Sequence, residues 1–229
     1  SDSNKSLSVI PYLMLSTSKG LLYELNLKSG EMTSSLKVFN QGITKIKFNH
    51  YNQSILAISE DQCFASIDVT NIDDADVENC SIQNIFPAYC QEILDIKVTS
   101  SSNFLFSSND LGLKYYDLEK KSTQIIEGHK DFIMHIEYKN GFVVTSSKDS
   151  TLRLYKEYVS KSYTSKFKCI FSIKGHTEAV TNSALITKNS SIIVCSGGKD
   201  KSIKLWDLTE KYNFIISEIL EKSQDDYYN

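Results

Sequence analysis

The chain has 229 residues, of which 41% are hydrophobic and 11% aromatic, a composition typical of a packed globular core that contains β-sheets. Its formal net charge of −3 means that the overall electrostatic field does not favour nucleic acid. The five cysteines include no Cys-x-x-Cys pair and no stretch reaches 18 apolar residues, so we expect no zinc site, no disulfide framework and no membrane span.

The first half of the chain predicts short strands separated by polar turns, in two successive units. The first unit gives three strands and lacks an inner one: Tyr12–Leu15, Leu21–Leu27 and a run near Leu36–Phe39. The second unit gives four: Ile43–Phe48, Ile55–Ser59, Phe64–Val69 and Ser81–Phe86. The acidic stretch Asn71–Asn79 is predicted to be an insertion before the outer strand of the second unit.

The second half of the chain continues the pattern with three units of four strands each. The third unit predicts Ile93–Val98, Phe104–Ser107, Leu113–Leu118 and Thr123–Ile126. The fourth predicts Phe132–Tyr138, Phe142–Ser146, Leu152–Tyr155 and Cys169–Ile173, interrupted by an insertion, Glu157–Lys168. The fifth predicts Val180–Thr187, Ile192–Ser196, Ser202–Leu208 and an outer strand, Phe214–Leu220.

The units share a motif: a Gly-His pair before the inner strand, then an Asp in a turn, then an aromatic residue six positions after that Asp. The motif occurs as Gly175-His176, Asp200 and Trp206, and again as Gly128-His129, Asp149 and Tyr155. The turn position runs through Lys19, Asp61, Asp110, Asp149 and Asp200, at spacings of 42, 49, 39 and 51 residues. These spacings lie near the roughly 40–45 residues of one four-stranded propeller blade.

These features resemble WD-repeat proteins, and the resemblance implies an all-β propeller of four full four-stranded blades plus a partial one, within a segment that covers residues 1–229. The implied blades span about 9–39, 43–86, 93–127, 132–174 and 180–220. Closed propellers have four to eight blades, and the resemblance implies that blades of this regular length come in sevens; because the chain begins inside a blade, we expect a fragment of a tandem seven-bladed propeller protein. A complete five-bladed ring is the alternative.

In the WD-repeat blades that this sequence resembles, the His and the turn Asp bond to each other and onward to a strand hydroxyl and the Trp N–H. The corresponding residues here are His176, Asp200, Ser196 and Trp206, and a second set, His129, Asp149, Thr145 and Tyr155, in which Tyr replaces Trp. A Ser-His-Asp catalytic triad is the alternative interpretation. The second copy favours a structural network, so we expect no catalytic residue, no cofactor and no metal site.

Two groups of residues are candidate partner contacts. The first group follows a Gly-His turn or lies beside a third strand: Lys130, Phe132 and Arg153. The second group lies in the fourth-unit insertion: Lys161, Lys166 and Lys168. These lysines alternate with Tyr158, Tyr163 and Phe167, which could stack on single-stranded RNA. The alternative is a solvated loop that shields an outer sheet edge from pairing with other chains.

A narrower resemblance rests on the order of three segments. EILDIKVTSSSNFLFSSNDLGLKYYDL (92–118) is followed by a GHKDF unit and then by a GHTEAV unit ending in IKLWDL. This order is similar to the transducin-beta-like family of the small-subunit processome, in the UtpB subcomplex of the U-three small nucleolar ribonucleoprotein. Tyr155-Lys156, in place of Trp-Asp, departs from the repeat pattern.

The narrower resemblance implies a non-catalytic nucleolar scaffold that supports pre-rRNA processing through protein–protein contacts. Its implied partners are other WD-repeat processome subunits, with indirect association to pre-rRNA and box C/D small nucleolar RNA. It implies no membrane and no small-molecule substrate. The alternative function is that of another WD-repeat adaptor, such as a ubiquitin-ligase substrate receptor or a trafficking scaffold.

Overall fold

The computed structural model describes residues 12–69, 81–87, 92–159, 165–188 and 191–214, and its strands form five antiparallel sheets. The chain divides into two compact units, Ser1–Tyr89 and Cys90–Asn229. In every sheet, neighbouring strands are consecutive in the chain. Each sheet is therefore one blade, and the predicted all-β class is confirmed, with three or four described strands in each blade.

The first unit holds two blades. Blade 1 consists of β1 (Tyr12–Ser16), β2 (Leu21–Asn26) and β3 (Met32–Lys37). Blade 2 consists of β4 (Ile43–Asn49), β5 (Ser54–Ser59), β6 (Cys63–Asp68) and β7 (Ser81–Pro87). Leu22 of blade 1 belongs to the same buried apolar cluster as Ile55 and Ile67 of blade 2, so the two sheets share one core.

The second unit holds three blades. Blade 3 consists of β8 (Ile93–Val98), β9 (Asn103–Ser108), β10 (Leu113–Asp117) and β11 (Ser122–Ile126). Blade 4 consists of β12 (Ile133–Lys139), β13 (Phe142–Ser147), β14 (Thr151–Val159) and β15 (Ser165–Lys174). Blade 5 consists of β16 (Val180–Lys188), β17 (Ser191–Gly198) and β18 (Ile203–Asp207).

Blade 4 buries both of its faces, because successive side chains of a strand point in opposite directions. Leu154 of β14 shares a buried cluster with Val194 of blade 5. The next residue, Tyr155, shares a different cluster with Leu105 of blade 3. The three sheets of the second unit therefore pack on one another in chain order, as stacked blades do.

The inner strands of blades 2 to 5 share an irregularity in their pairing. The register shifts between Ile43 and Lys45, between Ile93 and Asp95, between Ile133 and His135, and between Val180 and Asn182. In the second unit, the residue after such a bulge reaches the next blade. The Ile136 N–H donates to Asp95 Oδ2 at 2.9 Å, and the Ser183 N–H donates to His135 Nδ1 at 3.3 Å.

The third strand of blade 1 begins earlier than its sequence predicts. The predicted run near Leu36–Phe39 is corrected to Met32–Lys37. The Gly30 N–H donates to the Asn26 carbonyl at 2.8 Å, which closes a tight turn and starts the hairpin at once. The polar sequence of this strand hid its start, because it lacks the apolar alternation that identifies a half-buried strand.

The insertion predicted at Glu157–Lys168 is largely an extension of the hairpin of blade 4. β14 continues to Val159 and β15 begins at Ser165, and the two strands pair up to Val159↔Ser165. Phe167 is buried within this extension, with its ring centroid 5.1 Å from that of Tyr115 in blade 3. The extra residues therefore enlarge the interface between blades 3 and 4.

The chain beyond β18 departs from the prediction at its first predicted residue. Residues 209–214 are helical, so Phe214 does not begin an outer strand, and the rest of Phe214–Leu220 lies outside the described residues. Asp207 Oδ1 accepts from the Thr209 N–H at 3.0 Å, as a helix N-cap does.

The predicted insertion Asn71–Asn79 also lies outside the described residues. Within the described ranges, no helix has the length and apolar character needed to cross a bilayer.

Candidate functional site

In blade 4, the turn between β13 and β14 is closed by hydrogen bonds to Asp149. His129, in the loop before β12, has its Nδ1 3.0 Å from Asp149 Oδ2 and its Nε2 2.7 Å from Thr145 Oγ1. The backbone N–H groups of Lys130 and Thr151 each donate to the same carboxylate at 2.9 Å. The Thr151 hydroxyl donates to Oδ1 at 2.6 Å. The carboxylate therefore has four donors, which join the turn to the preceding loop.

Blade 5 repeats this arrangement around Asp200. His176 Nδ1 lies 2.8 Å from Asp200 Oδ2, and His176 Nε2 lies 2.8 Å from Ser196 Oγ. The Thr177 N–H donates to Asp200 Oδ2 at 3.2 Å, and the Ser202 hydroxyl donates to Oδ1 at 2.8 Å. The sequence pattern gave no signal for the hydroxyls of Ser202 and Thr151, because it concerned the position six residues after the Asp and not the position two after it.

The two networks differ at the aromatic position. In blade 5, Trp206 Nε1 donates to Ser196 Oγ at 2.9 Å. Ser196 in turn donates to His176 Nε2, and His176 Nδ1–H donates to Asp200, which is the only proton order that serves every atom. In blade 4, the buried Tyr155 hydroxyl lies beside Thr145 without a hydrogen bond of normal geometry. The proton chain therefore extends one residue further in blade 5.

The electrostatics of both networks favour an ionised Asp. Burial alone would raise the pKa of Asp149, but hydrogen bonds from Thr151, Lys130 N–H and His129 outweigh it and lower the pKa to about 2. The pKa of Asp200 is likewise held well below its usual range, because its hydrogen bonds outweigh the opposing effect of burial. Burial lowers the pKa of His129 more than Asp149 raises it, so its imidazole is neutral at pH 7.

The glycine of each Gly-His pair lies against the side chains of the third strand. Gly175 has a φ of 159°, and a Cβ there would lie 2.5 Å from Trp206 Cη2. Gly128 has a φ of 155°, and a Cβ there would lie 2.8 Å from Arg153 Nη1 and 3.1 Å from the Tyr155 hydroxyl. A side chain at either position would displace the ring or the guanidinium, so the close approach requires glycine.

The arrangement of these groups does not suit nucleophilic catalysis. Ser196 is only 1% exposed and Thr145 is fully buried, and each hydroxyl is hydrogen bonded to a histidine. A nucleophile must reach the atom that it attacks, and these oxygens cannot. In the described part of the chain, no group of three or more His, Cys, Asp or Glu side chains is placed to hold a metal ion.

Blade 3 has a turn network that the Gly-His motif does not reveal, because the partner of its turn Asp is a lysine and not a histidine. Lys114 of β10 is buried, its ammonium pairs with Asp110, and it also donates to Ser108 Oγ at 2.6 Å. Burial would raise the pKa of Asp110, but the hydrogen bonds from Lys114 and Ser108 lower it. The signal available in the sequence was a lysine four residues after the turn Asp.

The first group of candidate contacts lies near the turn of blade 4. Lys130 and Arg153 line a pocket of about 430 Å³ beside this turn. Phe132 does not line it; its ring lies 5.1 Å from the Lys148 ammonium in a cation–π contact. The structure therefore brings Lys130 and Arg153 together and separates Phe132 from them.

The second group of candidate contacts lies on the extended hairpin. Lys166 and Lys168 are exposed on β15, and Lys161 lies outside the described residues. Phe167, between the two exposed lysines, is 9% exposed and packs in the core. The expectation that Phe167 could stack on RNA is therefore wrong, because its ring already lies against Tyr115.

Comparison with known proteins identifies repeats of the expected kind. The family profile described as "WD domain, G-beta repeat" matches residues 120–156 and 167–207. These ranges contain β11 of blade 3, most of blade 4, and blade 5. The predicted resemblance to WD repeats is therefore confirmed over these two ranges.

Similar proteins are longer than this chain. It is 28% identical over 139 residues to transducin beta-like protein 3 of Mus musculus, which covers 59% of this chain and 17% of that protein. It is 38% identical over 93 residues to the ribosome biogenesis protein WDR12 homolog of Oryza sativa subsp. japonica; this match covers 38% of this chain and 21% of that protein. It is 30% identical over 104 residues to elongator complex protein 2 of Dictyostelium discoideum; this match covers 39% of this chain and 11% of that protein. The matches to transducin beta-like protein 3 span about one sixth of that protein's length.

Proposed function

We propose that this WD-repeat chain is a non-catalytic scaffold of the small-subunit processome, which supports pre-rRNA processing and small ribosomal subunit biogenesis through protein–protein contacts. The observation that carries the proposal is the similarity to transducin beta-like protein 3 over 139 residues. A second relative is named for ribosome biogenesis. The proposed blades span about 9–39, 43–86, 93–127 and 132–174, with a fifth that begins at 180, within a tandem seven-bladed parent.

The structure supports a scaffold through its rigid turns and its exposed surface. The His–Asp networks of blades 4 and 5 occupy polar groups that could otherwise do chemistry, and they fix the loops that they join. Ile203 and Leu205 of β18 are 80% and 73% exposed, and Ile186 of β16 is 48% exposed. Exposed apolar side chains of this kind are typical of surfaces that bind other proteins.

The proposed partners are other WD-repeat subunits of the processome, and the proposed location is the nucleolus. Pre-rRNA and box C/D small nucleolar RNA would associate indirectly, through those subunits. A net charge of −3 supports indirect association, because a protein that neutralises many phosphates usually carries excess positive charge.

Purification of the tagged full-length protein from cells tests the proposal, with sequencing of bound RNA and mass spectrometry of bound proteins. We expect pre-rRNA, box C/D small nucleolar RNA and WD-repeat subunits to be enriched over a tag-only control. The double variant Asp149→Ala/Asp200→Ala, which removes both turn carboxylates, should lose them. Recovery of a ubiquitin ligase without pre-rRNA would overturn the proposal.

The similarity to elongator complex protein 2 favours one other candidate, an adaptor in a different multi-subunit assembly. The same purification separates the two candidates. Elongator-type subunits and no pre-rRNA would support the adaptor, and nucleolar fluorescence of the tagged protein would contradict it.

A further inference from the structure

The three blades of the second unit each place a cation four residues after the turn Asp. Lys114 pairs with Asp110 in blade 3. Lys204 lies 3.7 Å from Asp200 in blade 5 and also donates to the Gly175 carbonyl. The equivalent residue of blade 4 is Arg153. Among the described residues, no carboxylate lies within ion-pair distance of its guanidinium, so Arg153 breaks the pattern of its two neighbours.

Arg153 is held in a partly dehydrated position. Its Nη1 lies 3.9 Å from Cys169 Sγ, which is a weak acceptor. Its Nε is shielded from solvent and has no hydrogen-bond partner. The guanidinium approaches the backbone at Gly128, where a Cβ would lie 2.8 Å from Nη1. A shielded cation without an anion is costly, and an anionic ligand would remove that cost.

The strand pairing of blade 4 places further polar groups beside Arg153. Arg153 pairs with Ser172, and Thr151 pairs with Lys174, so these four side chains lie on one face of the β14–β15 hairpin. Lys130 completes the group from the loop before β12. Together they line the pocket of about 430 Å³, and the lysines and Ser172 are exposed at its mouth.

Among the described residues, Asp149 is the one carboxylate that lines this pocket, and its lone pairs are already occupied. It accepts from His129, from the Thr151 hydroxyl and from two backbone N–H groups. Three cationic side chains and one carboxylate leave the pocket with an excess of two positive charges. The free cationic donors at the pocket are those of Arg153, Lys130 and Lys174.

We propose that this pocket binds the carboxylate or phosphate group of an acidic peptide segment on a protein partner, with Arg153 as the principal ligand. The proposal rests on the proposed scaffold function. A peptide suits the site better than RNA, because none of the described lining residues is Phe, Tyr or Trp, and His176, the aromatic ring among them, is buried with both ring nitrogens hydrogen bonded. Arg pairs with carboxylate and phosphate through two parallel hydrogen bonds, which fits recognition of one such group.

Fluorescence anisotropy with the 229-residue chain tests the proposal. The probes are a fluorescein-labelled peptide of glutamates around one phosphoserine, the same peptide with glutamate in place of phosphoserine, and a single-stranded RNA of equal charge. We expect at least one peptide to bind, and Arg153→Gln to weaken it at least about tenfold. Lys204→Gln, the matched control in blade 5, should change binding less than about twofold.

Folding and charge are controlled separately. Thermal unfolding of Arg153→Gln, followed by circular dichroism, should show a transition like that of the wild type. Arg153→Lys keeps the charge but loses the paired hydrogen bonds, so its affinity should lie between wild type and Arg153→Gln. If Arg153→Gln does not fold, Lys130→Gln/Lys174→Gln provides the test, and it should also weaken the peptide at least about tenfold.

Three outcomes would overturn the proposal: equal peptide binding by wild type and Arg153→Gln, no peptide binding at millimolar concentration, or RNA binding that depends on Arg153 and exceeds that of both peptides. The peptide that binds more tightly identifies phosphate or carboxylate as the preferred group. If only the peptide proposal is wrong, the full-length protein should still recover pre-rRNA. Loss of the scaffold function would abolish that recovery whatever the peptide does.

Discussion

Blade 3 closes its turn with a lysine, whereas blades 4 and 5 close theirs with histidines. Lys114 reaches Asp110 from the third strand, but His129 reaches Asp149 from the loop that precedes the inner strand. The sequence before β8 carries no Gly-His pair. The turn carboxylate is therefore the feature that these blades share, and its donor can come from either side.

The two solutions differ in charge. A lysine brings a formal positive charge to Asp110, so the pair is an ion pair with a buried ammonium and a partly exposed carboxylate. His129 is neutral at pH 7, because burial lowers its pKa, and the Asp149 charge is stabilised by hydrogen bonds instead. Loss of one member should consequently cost more in blade 3, where it leaves an unpaired charge behind.

Asp110→Ala is expected to have the largest effect, a loss of about 3 kcal/mol in the free energy of unfolding, because the buried Lys114 ammonium loses its carboxylate. The value lies at the low end for buried pairs because the Asp110 side chain is 43% exposed. Urea unfolding followed by circular dichroism measures it. Asp110→Ala/Lys114→Met should recover most of the loss, and a wild-type midpoint for the single variant would show that the lysine closure adds no stability.

His129→Ala is expected to cost about 2 kcal/mol, because Asp149 loses a donor and the Thr145 hydroxyl loses its acceptor, but no charge is left unpaired. His50→Ala is the matched control, since His50 is exposed in a turn, and it should change stability by less than about 0.5 kcal/mol. A loss for His129→Ala that equals or exceeds that for Asp110→Ala would contradict the comparison of the two blades.

The sequence predicted most strands to within one or two residues, because apolar alternation and turn residues mark each blade. β8 was predicted at its observed bounds, Ile93–Val98. The pairing of His176 with Asp200 was also expected, since both residues belong to a motif whose spacing recurs. The sequence pattern was therefore sufficient to predict strand bounds and turn contacts that depend on residues close together in the chain.

The features that the sequence did not predict depend on tertiary contacts. The extension of β14 and β15 exists because Phe167 packs on Tyr115, a residue about 50 positions away. The helical segment 209–214 is supported by Tyr212, whose ring packs edge-on against Phe142 at 5.2 Å. Lys114 was not predicted, because it binds the turn Asp as a histidine does in blades 4 and 5 but reaches it from the third strand. None of these contacts has a periodic signature along the chain.

Blades 4 and 5 can be compared at their aromatic residues. Trp206→Phe should cost about 1 kcal/mol, because it removes the hydrogen bond to Ser196 Oγ. Tyr155→Phe should be close to neutral or slightly stabilising, because the Tyr155 hydroxyl is buried without a partner. Urea midpoints of the two variants measure the difference. A clear loss for Tyr155→Phe would mean that its hydroxyl bonds to Thr145 in solution.

The pH dependence of stability should show the smallest effect. The pKa of Asp149 is about 2 in the folded chain and about 3.9 in an unfolded one. A depressed carboxyl pKa stabilises the fold above the unfolded pKa, and this stability is lost as the pH falls from about 4 toward 2. Solvent screening at the partly exposed carboxylate keeps the effect modest.

Asp149→Asn isolates this contribution, because an amide does not titrate. The melting temperature of the wild type should fall more steeply between pH 4 and pH 2.5 than that of Asp149→Asn, whatever their difference at pH 7. His129 adds a separate loss that begins near pH 6.5, because its pKa is lowered by burial and the unfolded chain takes up the proton first. Parallel curves for the two proteins below pH 4 would show that the hydrogen bonds to Asp149 do not favour its ionised form, and the distinction drawn between blades 3 and 4 would then reduce to the charge of Lys114 alone.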